Sequence, residues 1–181
     1  MAGGSYFEAS AKPALVQVDP VKAVAVEGIG APGGEAHMRA ISVLYGAVER
    51  VAERAAELGV NFAVPPLEGL WWVEDTRPPF EVPREEWHWQ LFIQVPGEVD
   101  LREIPLPEEA RPLDLDEGLC VQALHKGAYA TEPETLTKMD ALMAQEGLEP
   151  HGRHHEIYVT PITDAPNKGR TILRQPAARR S

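Results

Sequence analysis

The stretch His151-Gly-Arg-His-His-Glu-Ile-Tyr-Val-Thr160 sets the period on which the fold is read. His155, Ile157 and Val159 alternate with His154, Glu156 and Tyr158, and a two-residue period puts the two sets on opposite faces of a β-strand. The first set is the core side. Glu156 then lies on a partly enclosed face between an imidazole and a phenol, an arrangement that suits a solvated sheet face as well as a ligand contact. The same alternation sends His154 and His155 to opposite faces, and no HExxH helix accompanies them, so His151, His154, His155 and Glu156 are not expected to hold a metal.

Working outward, Gly118 to His125 reads as a strand, and Thr131-Glu-Pro-Glu134 as a capping box opening a helix that runs through Leu136, Met139, Leu142 and Met143 to Gly147. A further strand is expected at about Arg170 to Leu173. This order, β-α-β-β, also fits the first half. Val21 to Val26 is a strand, and the glycines of Gly28-Ile-Gly-Ala-Pro-Gly-Gly34 turn the chain into a helix over about Gly34 to Leu58. That loop has neither the GxGxxG spacing nor a lysine-serine pair, so nucleotide binding is not expected. Met38, Ile41, Leu44 or Tyr45, Val48, Val51, Ala55 and Leu58 form the apolar stripe of the helix, and Gly59 stops it. Strands follow at Leu67 to Glu74 and Trp87 to Val95, separated by Pro78, Pro79 and Pro83, which cannot donate ladder hydrogen bonds.

The expected fold is therefore α+β: tandem β-α-β-β repeats in a pseudo-twofold arrangement, with antiparallel sheets, two long helices and a cleft between the halves. One domain spans 1–181, with halves at about 20–96 and 117–175, a proline-containing connector at 97–116, and frayed tails that include Arg179 and Arg180.

Composition narrows the function classes. The net charge of −11 repels phosphate backbones, so direct nucleic-acid binding is not expected. Cys120 is the single cysteine and lies in an apolar run, which excludes an intramolecular disulfide and points to an inert buried thiol. No segment reaches about 18 consecutive apolar residues, and the N-terminus has no signal-like pattern, so a cytoplasmic protein without membrane association is expected. No helix-turn-helix precedes the first strand, and a self-contained regulator is not expected. All four tryptophans fall in one predicted hairpin, where their flat faces suit either core packing or a slot for planar or cationic ligands. His125-Lys-Gly-Ala-Tyr129 ends a strand and places a tyrosine on the turn before the second helix.

Together these segments resemble the GyrI-like small-molecule-binding family, and within it the stand-alone branch that includes cyclopropanoid cyclopropyl hydrolases. The matching residues are Glu27-Gly-Ile-Gly30, Leu44-Tyr45, Pro66-Leu-Glu-Gly-Leu-Trp-Trp72, Trp87-His-Trp89, Glu117-Gly118, His125-Lys-Gly-Ala-Tyr129, His154-His-Glu-Ile-Tyr158 and Lys168-Gly-Arg-Thr-Ile-Leu-Arg174. Departures fall in the loops: Gly30-Ala-Pro-Gly-Gly34 lacks an Asp-Pro-Asn-like turn, and Val159-Thr-Pro-Ile-Thr163 replaces a Ser-Asp-Pro-Arg-like continuation.

The resemblance implies a cleft with Glu156 as its acid, an aromatic wall at Trp72, Trp89, Tyr129 and Tyr158, and further ligand contacts at His154, His125 and Tyr45. It implies hydrolysis of cyclopropane-bearing aromatic DNA alkylators, a detoxification, with Glu156 as base and Tyr129 or Tyr158 supporting the developing negative charge. The alternative is a non-catalytic multidrug module that holds a lipophilic cation. No cofactor is expected under either reading, and no protein partner is identified by these residues.

Overall fold

A computed structural model of the chain describes residues 5–161 and 168–180. The chain forms two compact units. One comprises Val21–Pro65 and Gly69–Leu115; the other comprises Met1–Pro20, Pro66–Glu68 and Asp116–Ser181.

In the first of these, strands β2 (Val21–Ile29), β3 (Glu68–Trp72, all but its first residue), β4 (His88–Gln94) and β5 (Arg111–Leu115) lie in the order β3-β4-β2-β5, with helix α1 (Glu35–Glu57) packed on β2 and β4. Strand β1 (Ala14–Val18) belongs to the other unit. Pairing of β2 with β4 is antiparallel and sets Gly28 opposite Trp89 and Val24 opposite Ile93. Leu91, Phe92 and Ile93 are all fully buried, so β4 is covered on both faces. Phe92 joins Ala23, Ala25 and Leu70 in an apolar cluster.

Helix α1 buries Ala40, Leu44, Ala47, Val48, Val51 and Ala55, whereas Met38, Tyr45 and Leu58 are exposed. At its N-terminal end the expected stripe is displaced by one position, with His37 and Ala40 facing inward in place of Met38 and Ile41, and Leu58 lies just past the end of the helix. The helix ends as predicted. Gly59 adopts φ +72°, and the amides of Gly59 and Val60 bond to the carbonyls of Ala56 and Ala55, a Schellman stop.

In the second unit, β6 (Gly118–Lys126) pairs with β1 and with β9 (Arg170–Arg179), and β9 pairs with β8 (His154–Tyr158) and β7 (Leu148–Pro150). Helix α2 (Glu132–Gln145) covers one face through Met139 and Met143, which meet Val121, Ala123, Leu148 and Leu173. On another cluster, Leu124, Ile157 and Ile172, lie Tyr6, Phe7 and Ala9 of the N-terminal segment.

Several boundaries differ from the sequence reading. Strand β5 lies inside the stretch read as connector, and β1 and β7 were not anticipated. Strand β9 runs to Arg179 rather than stopping near Leu173. Its Pro176 sits where β9 changes partner from β8 to β7, so the missing N–H is tolerated there. Arg179 and Arg180 are not frayed: their guanidinium groups donate to the carbonyls of Glu146 and Leu148.

The capping box does not form. A 3-10 turn, Tyr129–Thr131, runs straight into α2, and Thr131 has φ −101° and ψ 1° instead of the extended N-cap geometry. Its hydroxyl donates to the Ala128 carbonyl (2.8 Å). Of the loop departures noted above, Ile162 and Thr163 lie outside the described residues.

Cys120 is fully buried, and burial followed by the Glu117 charge pushes its thiol up to about 12. Among the described residues no helix is long and apolar enough to cross a membrane.

Candidate functional site

Strand alternation in β8 acts as expected on both faces. On the inner face His155 is fully buried between two carboxylates, with Nε2 2.9 Å from Glu68 Oε2 and Nδ1 2.9 Å from Glu117 Oε2. Burial is the largest single influence on this imidazole and lowers its pKa. The hydrogen bonds and charges of Glu117 and Glu68 together outweigh it, and the net direction is upward. Tyr6 donates to Glu68 (2.8 Å), its own hydroxyl pushed up chiefly by burial. Arg174 donates to Gln122 and lies over the Tyr6 ring. This is a buried polar lattice tying β6, β8, β9, residues 66–68 and the N-terminal segment together.

On the opposite face Glu156 is the centre. Its Oε2 accepts from the Tyr158 hydroxyl (2.8 Å), and its Oε1 lies 3.3 Å from His154 Nε2. The side chain of Glu156 is 14% exposed, enough for a ligand to reach and little enough for its charge to be felt. Tyr129 sets its ring edge-on to Tyr158 (6.4 Å, 82°). Burial, then the charges of Glu156 and Glu132, push the Tyr129 hydroxyl up to about 12, so it stays protonated near neutral pH. Glu132, the first residue of α2, hydrogen-bonds Glu156 and is itself buried. Burial, followed by the Glu156 charge and that hydrogen bond, pushes its carboxyl up to about 9.

Local sequence explains how these groups meet. Gly127, at φ +122°, lets the chain leave β6 in a turn that L side chains disfavour, and so delivers Tyr129 to the β8 face. His125 fixes that turn: Nδ1 lies 2.8 Å from Thr135 Oγ1, and Nε2 lies 3.0 Å from the Ala128 carbonyl. His125 is 4% exposed, so the structure places it as a clamp beneath Tyr129 with both ring nitrogens engaged.

The structure thus brings together Glu156, Tyr158, His154 and Tyr129, with His125 behind them. The remaining candidates lie in the other unit. Trp72 stacks on His88 (5.5 Å, 29°), and Tyr45 is exposed on α1. Trp89 is 1% exposed, with its Nε1 donating to the Gly30 carbonyl and its ring edge-on to His37; its faces are taken up by packing. Among the described residues no group of three His, Cys, Asp or Glu is placed to hold a metal ion.

Sequence reasoning missed Glu132. An acid in the first turn of a helix is ordinarily solvated and favoured by the helix dipole, and nothing local marks this one as buried. Glu68 and Glu117 were missed as partners of His155 for a related reason: the three are far apart in sequence.

An acid flanked by phenols and an imidazole, on the half-enclosed face of a strand, is the kind of site that holds an organic small molecule. The chain belongs to the GyrI-like family: the family model for the GyrI-like small molecule binding domain matches residues 11–174. No curated protein matches it significantly. Among solved structures it is similar to an uncharacterized conserved protein from Listeria innocua (28% identity, TM-score 0.86, covering 96% of this chain and 95% of that one). It is also similar to a hydrolase from Listeria innocua (27% identity, TM-score 0.80, the same coverage of both chains). The C-terminal domain of EcmrR shares the fold alone (12% identity, TM-score 0.60, covering 92% and 97%).

Proposed function

We propose that this small-molecule-binding domain hydrolyses flat aromatic compounds bearing an activated cyclopropane, adding water and so removing their capacity to alkylate DNA. The observation that carries the reading is the Glu156 carboxylate, partly exposed, hydrogen-bonded by Tyr158 and bordered by Tyr129. The hydrolase among its Listeria relatives supports a hydrolytic role.

Glu156 takes a proton from the attacking water as the new C–O bond forms at the cyclopropane carbon. The ring C–C bond breaks, and its electron pair moves through the conjugated system to the carbonyl oxygen. Tyr129, whose hydroxyl remains protonated up to about pH 12, donates a hydrogen bond to that oxygen. Protonation of that oxygen and loss of the proton from Glu156 complete the addition of one water, and the product is a ring-opened alcohol that no longer alkylates.

Mass spectrometry of a cyclopropane alkylator incubated with the protein tests this. Expected is a product one water heavier, formed with turnover. Glu156→Gln should slow it by roughly 10²- to 10⁴-fold, the usual worth of a general base, with much less effect on binding of a neutral ligand. Unchanged substrate, or a covalent protein adduct without turnover, rules out hydrolysis and leaves the binding module. In that second reading the Glu156 charge and the Tyr129 and Tyr158 rings hold a lipophilic cation.

A further inference from the structure

We infer that Glu132 and Glu156 hold one proton between them, and that Glu132 is the proton donor that complements Glu156 as proton acceptor in the same reaction. The donor role rests on the hydrolytic reading above; the shared proton does not.

Three observations on different atoms carry the pair. Glu132 opens α2 yet is only 9% exposed. Its Oε1 is buried, and no donor group reaches it among the described residues. Its carboxyl meets that of Glu156, which already accepts from Tyr158. Two ionised carboxylates have only acceptors to offer one another, and their charges repel in a site that excludes much of the solvent. A single proton removes the repulsion and turns the contact into a hydrogen bond.

Neighbouring groups do not offer a rival solution. From β8 the titratable residues are His154, near Glu156, and Tyr158, committed to Glu156. The turn before α2 contributes Tyr129, which interacts with Thr171 of β9. His125 of β6 is engaged with Thr135 and Ala128. Burial and the Glu156 charge keep the proton on Glu132 up to about pH 9.

Hydrolysis of an activated cyclopropane needs one proton removed and one delivered. Water gives its proton to Glu156 as the C–O bond forms. The electron pair of the breaking ring bond reaches the carbonyl oxygen, which takes the proton of Glu132. One water has been added, and the pair still holds one proton, now on Glu156. Transfer across the hydrogen bond between the two carboxyls returns it to Glu132, and the site is ready again without exchange with solvent.

Two measurements test this on the full chain. Infrared difference spectroscopy of wild type against Glu132→Gln should show a protonated carboxyl at pH 7 that is lost as pH rises through about 9. In Glu156→Gln the same band should titrate at lower pH, because the neighbouring charge is gone. Absence of the band in wild type at pH 7, or its persistence in Glu132→Gln, overturns the shared proton.

The second measurement is turnover of a cyclopropane alkylator. Glu132→Gln should lower kcat by about 10²-fold or more while KM changes little. The fall in wild-type kcat at alkaline pH, which needs no variant to observe, should be missing from Glu132→Gln. Wild-type kcat that holds steady through pH 10, or an unaltered rate in the variant, overturns the donor role. If wild type shows the carboxyl band but no turnover, the hydrolase reading fails and the donor role falls with it, while the proton pair stands.

Discussion

Substituting Gly28 by alanine should destabilise the protein severely for the addition of one methyl group. Gly28 faces Trp89 across the β2–β4 pair, and a Cβ there would lie 2.4 Å from Cη2, 2.7 Å from Cζ2 and 2.9 Å from Cζ3 of the indole. Ordinary carbon–carbon contacts lie at about 3.5–4.0 Å, so the ring must retreat by about 1 Å. It has little room to do so. Trp89 is 1% exposed, and its Nε1 is held to the Gly30 carbonyl at 3.2 Å.

Overpacking of this kind costs about 1–3 kcal/mol, and losing the indole hydrogen bond adds about 0.5–1.5 kcal/mol. The sum, about 1.5–4.5 kcal/mol, corresponds to a fall in Tm of roughly 3–18 °C for a chain of this size. Gly28 does not have a positive φ, so the effect is steric rather than a backbone penalty. Gly46, within α1 and with nothing within 4 Å of its would-be Cβ, supplies the control. There the same change should stabilise by about 0.5–1 kcal/mol through helix propensity. Calorimetric melts of Gly28→Ala and Gly46→Ala should move in opposite directions. A Gly28→Ala variant within about 0.5 kcal/mol of wild type would falsify the claim that Trp89 is immovable.

Two further outcomes follow from the histidines. Removing His155 (His155→Gln) strands two buried carboxylates and should cost about 3–5 kcal/mol by urea unfolding. Because its folded-state pKa is raised, the stability it contributes is fully present below the unfolded value of about 6.5 and is lost as pH rises through the folded one; the gap from wild type should narrow toward alkaline pH, and a gap that widens refutes the assignment. His125→Phe should cost about 1–3 kcal/mol and speed hydrogen exchange of the Thr131 amide, which bonds to the Ala128 carbonyl; unchanged exchange means that His125 does not clamp the turn.

What could be read from sequence followed from how long each pattern persists. The extent of helix α1 and the middle of its buried face were legible because its apolar repeat runs for many turns and ends at Gly59. The face of β8 was legible because five residues alternate without interruption. Strand β5 was hidden by Pro112, and β7 by its shortness and Pro150. The stretch holding β5 was read as a connector, although among the described residues β5 pairs only with β2 and an edge strand tolerates proline. The site was half legible. Glu156, Tyr158 and His154 share one strand, whereas Glu132 is brought to them by the turn at Gly127, and no local pattern encodes that approach.

The division of the chain into one unit made from two nearby segments and another made from three distant ones has a consequence during synthesis. Residues 21–65 and 69–115 are all available to one another before β6 is made. Strand β1, by contrast, leaves the ribosome on the order of 100 residues ahead of its partner β6, a delay of roughly 5–20 s at ordinary elongation rates. The carbonyl of Tyr6 waits longer still, for Arg174. Until then the N-terminal segment of the nascent chain keeps an unpaired strand and lacks the Leu124, Ile157 and Ile172 cluster that covers Tyr6 and Phe7. The polar lattice around His155 gains its Arg174 contacts only once the last strand has been made.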